Sequence, residues 1–208
     1  MKGLILKDIY NLRKYGKTLF LIAALYFLLS FMMDNADIFV GMIVIMFAIT
    51  TVTSFAYDSQ SGWDVYVNTM PVSRKDVVLS KYLLSLLLIL TGGLLSVLMG
   101  WVNGLIRNIG NFSETLLTAY ALCAVGLLFV SILLPFVYKF GVERARVIII
   151  AVVAVPVAAG IALSQTGALP EFNEQTVKQL LWFSPLIVAV CCVLSIAISN
   201  AIYRKKEV

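Results

Sequence analysis

The chain has 208 residues, 61% of them hydrophobic, and a mean hydropathy of +0.97, which excludes a soluble domain of ordinary make-up. Its net charge of +5 comes from basic residues scattered between apolar runs, a pattern that orients a membrane protein and gives no reason to expect a nucleic-acid partner. There is no His, so the commonest metal ligand and the commonest general base are missing.

Six apolar runs are predicted to span the membrane, at residues 18–33, 38–57, 77–106, 115–138, 147–166 and 180–203. Each is near the ~20 residues that cross a ~30 Å hydrocarbon core, although the first is short and the third is long enough to project. If the N-terminus is placed inside and the segments alternate, all of the 16 Lys and Arg except Arg107 and Lys178 fall inside. The expected fold is therefore all-α: a single polytopic domain over 1–208, with six membrane helices and both termini in the cytoplasm.

Residues 1–17 precede the first run. Their basic stretch, Lys2 to Lys17, is longer than the n-region of a signal peptide, and no small-x-small cleavage site follows it. Ile5, Ile9 and Leu12 share one helical face, while Lys7, Asn11 and Lys14 share the other, with Leu4 and Asp8 on the borders. The segment reads either as a basic flank that orients the first span or as an interfacial elbow helix on the cytoplasmic leaflet.

The second run holds Thr50, Thr51, Thr53 and Ser54, hydroxyls that line a path or bond back to their own helix. The longest inside connection follows, with a patterned cytoplasmic segment expected over 58–76. Trp63, Tyr66, Val67 and Met70 recur at i, i+3, i+4 and i+7, placing four large apolar side chains on one helical face. Gly62 and the serines ahead of it can open this helix, and Pro71 ends it. Its apolar face suits either the bilayer surface or a docking cleft in a partner protein. Ser73 with Asp76 resembles a capping box for the third span. Lys81, near the start of that span, is expected to run its stem along lipid and its amine to the headgroups.

Gly92, Ser96, Gly100 and Gly104 recur every four residues in the third run, a small-residue stripe for close helix contact within the chain or with a second chain. Pro135, Pro156 and Pro185 are expected to mark bends. The connection 164–179 is the longest outer one and could hold a surface or re-entrant helix. Cys123, Cys191 and Cys192 lie within spans and read as small hydrophobes. No carboxylate sits at mid-span, so an ion-coupled carrier is disfavoured. No GxxxxGK[ST] phosphate loop occurs, so this chain is not expected to hydrolyse ATP.

These features together resemble a type-2 ABC transporter permease, of the small bacterial class that exports peptides, bacteriocins and drugs. The matching residues are the basic start MKGLILKDIYNLRKY and the acid-led loop with Asp58, Gly62-Trp63-Asp64, Thr69-Met70-Pro71-Val72-Ser73-Arg74 and Ser80-Lys81-Tyr82. A Leu is usual in that family where Met70 stands here. The resemblance implies a permease that works in pairs, with an identical or sister chain, on two copies of a cytoplasmic ATPase that binds ATP and Mg. It also implies that Trp63, Tyr66, Val67 and Met70 form the face that docks on the ATPase. Asp58, Asp64, Arg74 and Lys75 would be the polar rim, and the elbow around Lys7 to Tyr15 would approach the same subunit. No cofactor or metal is expected in this chain. Two other readings stay open: an ion-coupled carrier or channel, and a non-transporting immunity or scaffold subunit. The family favours a peptide cargo, with lipid or drug next.

Overall fold

A computed structural model describes residues 2–32, 36–67, 69–107, 112–165 and 174–205, which are helical throughout apart from turns. Six helices follow in order: α1 (Lys2–Met32), α2 (Ala36–Gln60), α3 (Trp63–Val67), α4 (Arg74–Arg107), α5 (Phe112–Gln165) and α6 (Glu174–Lys205). Among the described residues, five segments are long and apolar enough to cross a membrane: Gly3–Met32, Gly41–Gln60, Arg74–Ile106, Phe112–Ala145 and Leu181–Lys205. At 34 residues, α4 is about 51 Å long, so it projects beyond a ~30 Å core as the sequence predicts.

Two expectations change. The interfacial helix over 1–17 is not a separate element, because α1 runs without a break through to Met32. No proline interrupts it, and the buried stripe of Leu4, Asp8 and Leu12 fastens its first turns to the bundle. That stripe is also not the expected apolar face, since Ile9 stays exposed and the borderline Asp8 turns inward. The second change concerns the run at 147–166, which is not a separate helix and is not among the five candidate spans found in the described residues. It continues α5 past Gly141, whose φ of 79° and ψ of 173° break the helix. This combination of angles is essentially confined to glycine, so the chain can bend here where a residue with a Cβ would be strained. Residue 166 and several side chains of this run, including Pro156, lie outside the described residues. The same is true of most of the connection 164–179.

Side-chain contacts fix the direction of each helix. At one end Phe55, Tyr138 and Tyr203 stack edge to face, with centroids 5.1 and 5.6 Å apart. At the other, Asn103 donates to Ser30 at 3.1 Å, and Tyr120 bonds Ser184 at 2.7 Å. The first part of α5 and all of α6 therefore run in the same direction, so the chain between them must return across the bundle. The helical stretch 142–165 measures about 36 Å, enough for that return.

Helices α2 and α4 form the centre. Ile43, Val44, Thr51, Leu84 and Ile89 are almost fully buried, and Val44 and Ile89 share one core cluster with Val130 and Leu134 of α5. Close approach depends on small residues: a Cβ on Gly92 would meet Phe47 at 3.0 Å, and one on Gly93 would run into Cys123. In lipid, where apolar side chains gain little by pairing with each other, such backbone approach is a main source of helix cohesion. Phe20, Leu94, Trp182 and Leu186 point outward, as residues facing hydrocarbon do.

Candidate functional site

The end of the bundle that carries the α2–α4 connection also carries most of the charge. Helix α2 closes at Gln60. Gly62, at φ 67°, reverses the chain in a left-handed turn, and its carbonyl accepts from Tyr66 N–H at 3.3 Å to open α3. That helix has only 5 residues. Thr69 then bonds the Tyr66 carbonyl through both its N–H and its hydroxyl, at 3.1 and 2.8 Å, and Val72 N–H reaches the Met70 carbonyl across Pro71. Ser73 caps α4 by accepting from Asp76 N–H at 3.1 Å, one half of the capping box read in the sequence.

The four apolar residues of this segment do not form one free face. Val67 is 2% exposed and joins the core with Leu4, Val77 and Val78. Trp63 is half-buried against the same cluster, with its ring 5.7 Å from that of Tyr66. Met70 is also half-buried, whereas Tyr66 is 56% exposed and stands clear. Val67 is thus a root of α3 in the bundle, while Tyr66, one position earlier, turns away from it. Among the rim residues, Arg74 and Lys75 are exposed, and Arg74 donates to the Arg204 carbonyl at 2.8 Å. The side chain of Asp64 lies outside the described residues. Asp58 is 4% exposed and belongs to no rim.

Asp58 instead helps form a buried charge cluster that sequence reasoning missed. Lys81 Nζ lies 2.5 Å from Asp58 and 2.9 Å from Asp8, and donates to Ser54 Oγ at 2.8 Å. Lys7 Nζ is 2.6 Å from Asp58 and 3.1 Å from Asp8. It also sits 3.9 Å from the centre of the Trp63 ring, a cation–π contact. Two cations and two anions cancel, as a group removed from water requires. The cluster joins α1, α2 and α4, and through Trp63 it reaches α3. The expected headgroup position for Lys81 is therefore wrong: at 3% exposure the amine turns inward to the carboxylates rather than outward to lipid. The pairs span 51 and 73 residues of sequence, so spacing could not reveal them. The available signal was an Asp at the border of a basic helix and a Lys one turn inside a span.

Beside this cluster lies a groove of about 230 Å³ lined by Tyr15, Val52, Thr53, Tyr57, Gln60 and Val142, among others. Of the hydroxyl run in α2, Thr53 alone faces it. Thr50 bonds back to the Met46 carbonyl, Thr51 is fully buried, and Ser54 serves Lys81. The small-residue stripe of α4 is used inside the chain: Gly92 meets α2, and a Cβ on Gly100 would lie 2.6 Å from Thr115 of α5. Ser96 is fully buried, and Gly104 is partly so.

Comparison with family sequence models gives a match described as ABC-2 family transporter protein, over residues 3–204. Comparison with curated proteins gives no match, and comparison with solved structures gives none.

Proposed function

Because the chain belongs to the ABC-2 family of transporter proteins, matched over nearly its whole length, we propose that it is the permease subunit of an ATP-driven exporter. Its cargo is a peptide, such as an antimicrobial or toxin-like peptide, ahead of lipid or drug. The charged end faces the cytoplasm, both termini lie there, and six crossings complete the bundle. Two copies of a separate ATPase bind ATP and Mg below the membrane, and a second permease chain, identical or sister, completes the pore.

One observation carries the coupling role: α3 is braced. Val67 roots it in the core, and Lys7 ties Trp63 to the buried charges of α1, α2 and α4. A force applied at Tyr66 therefore reaches three long helices at once instead of being lost in a loose loop. The groove flanked by Tyr15, Thr53 and Tyr57 offers ring faces and uncharged hydrogen-bonding groups, which suits a peptide backbone with apolar side chains.

Reconstitution into proteoliposomes with the ATPase that co-purifies tests this reading. ATP-dependent movement of labelled peptide is expected, abolished by an ATPase variant that binds but does not hydrolyse ATP. Transport driven by an ion gradient with no ATPase present would overturn it.

A further inference from the structure

A second groove, of about 440 Å³, runs between α5 and α6 on the outside of the bundle. Its walls are Ile132, Pro135, Phe136 and Ile198, and Lys139 stands at its charged end. Both helices belong to segments long and apolar enough to cross a membrane, which would turn this outer groove toward the bilayer. Its floor is closed by small residues: Ser131 Oγ lies 3.1 Å from Cys192 Sγ, and Ser195 donates to the Ser131 carbonyl. Ser131 itself donates to the Leu127 carbonyl at 2.8 Å, and Ser195 also meets the Tyr82 hydroxyl. Every hydroxyl on the floor is thus bonded within the protein, and none asks for water or a polar ligand. The wall is apolar, and among the described residues that line it the charge is positive, on Lys139.

We propose that this groove holds an anionic phospholipid, with an acyl chain along Ile132, Phe136 and Ile198 and the phosphate at Lys139. The Lys139 amine lies 5.1 Å from the centre of the Phe140 ring, a contact that steadies it at the charged end of the groove. Lys205 is exposed one turn beyond Ile202, another groove residue, and adds positive charge on the α6 side of the mouth. Glu143, the acid next along α5, already makes an interaction of its own. Basic sites between membrane helices on the side facing anionic lipid are selective in this way, because the chain fills the apolar slot and the charge chooses the headgroup. A peptide cargo would bring backbone donors and acceptors that this floor cannot satisfy. A symmetric second copy seated here would bring its own positively charged mouth to the same surface.

The full-length chain in nanodiscs tests the proposal, using phosphatidylglycerol and phosphatidylcholine probes with a photoreactive group on the acyl chain. Phosphatidylglycerol is expected to label peptides containing Ile132 to Phe136 and Leu194 to Ile198 at least fivefold more than phosphatidylcholine does. Lys139→Gln should remove most of that preference, a change of about fivefold for one basic residue at an anionic surface. Ile198→Trp, which fills the slot without touching the charge, should reduce labelling by both probes. Equal labelling by the two lipids in the wild type would overturn the proposal. So would a cross-link between two copies formed through Ile198→Cys in place of lipid labelling, which would assign the face to a second copy of the chain.

Discussion

Replacing Lys81 with Met removes the cation that holds two buried carboxylates. The Asp8 and Asp58 side chains are 1% and 6% exposed, and without Lys81 they share Lys7 alone. One negative charge is then uncompensated out of water. Breaking a buried pair by removing one partner costs about 3–5 kcal/mol. At roughly 2–4 °C per kcal/mol for a chain of this size, Lys81→Met should lower the midpoint of thermal unfolding by about 6–20 °C. Fluorescence-detected size-exclusion of heated, detergent-solubilised protein reads this directly. The double variant Lys81→Met/Asp8→Asn removes one charge of each sign and leaves the 2.6 Å Lys7–Asp58 pair balanced. It should therefore recover at least half of the loss, a double-mutant coupling of about 1.5 kcal/mol or more. If Lys81→Met stays within about 1 kcal/mol of wild type, or if the two losses simply add, the cluster is not the fastening described above.

Further expectations follow from single contacts. Gly100→Val would drive its branched side chain into Thr115, whose Cγ2 already lies 2.6 Å from where a Cβ would be. The cost should be about 1–3 kcal/mol by thermal unfolding, with partial rescue by Thr115→Ala. Gly141→Ala meets no atom within 4 Å, so its cost is backbone strain alone at φ 79° and ψ 173°, about 1–3 kcal/mol. A smaller effect at that position would mean that the bend is not held there. Tyr82→Phe removes the hydrogen bonds to Ser195 and Ser199 and should cost about 0.6–1.7 kcal/mol, the range seen for bonds between membrane helices.

The helices, the projecting α4 and the basic end of the bundle were legible in the sequence, because hydropathy and charge are local properties of the chain. The unbroken course of α1 was not, since a basic segment before an apolar run reads the same whether it lies on the membrane or continues the span. The pairing of Asp8 with Lys81 is what fastens it, and that contact joins residues far apart in sequence. The segment between α2 and α4 was legible in composition but not in orientation. Periodicity put Trp63, Tyr66, Val67 and Met70 on one face, yet the short helix turns Val67 into the core and leaves Tyr66 outward. Asp58 was read as rim because it leads a polar loop; its burial depends on two lysines brought in by other helices. The stripe from Gly92 to Gly104 was recognised as a packing surface, and only tertiary structure showed that Gly92 meets α2 while Gly100 meets α5.

Tyr66 is the most exposed of the four apolar residues and touches no member of the charge cluster, so Tyr66→Glu probes docking with little risk to the fold. The decisive measurement is gentle affinity purification of the tagged wild type and Tyr66→Glu from native membranes, followed by identification of the bound proteins. The account predicts a soluble ATPase with the wild type, lost or reduced at least tenfold with Tyr66→Glu, at equal permease yield and unfolding temperature. An ATPase retained equally by both would contradict the docking assignment, and no ATPase with either would contradict the coupling itself.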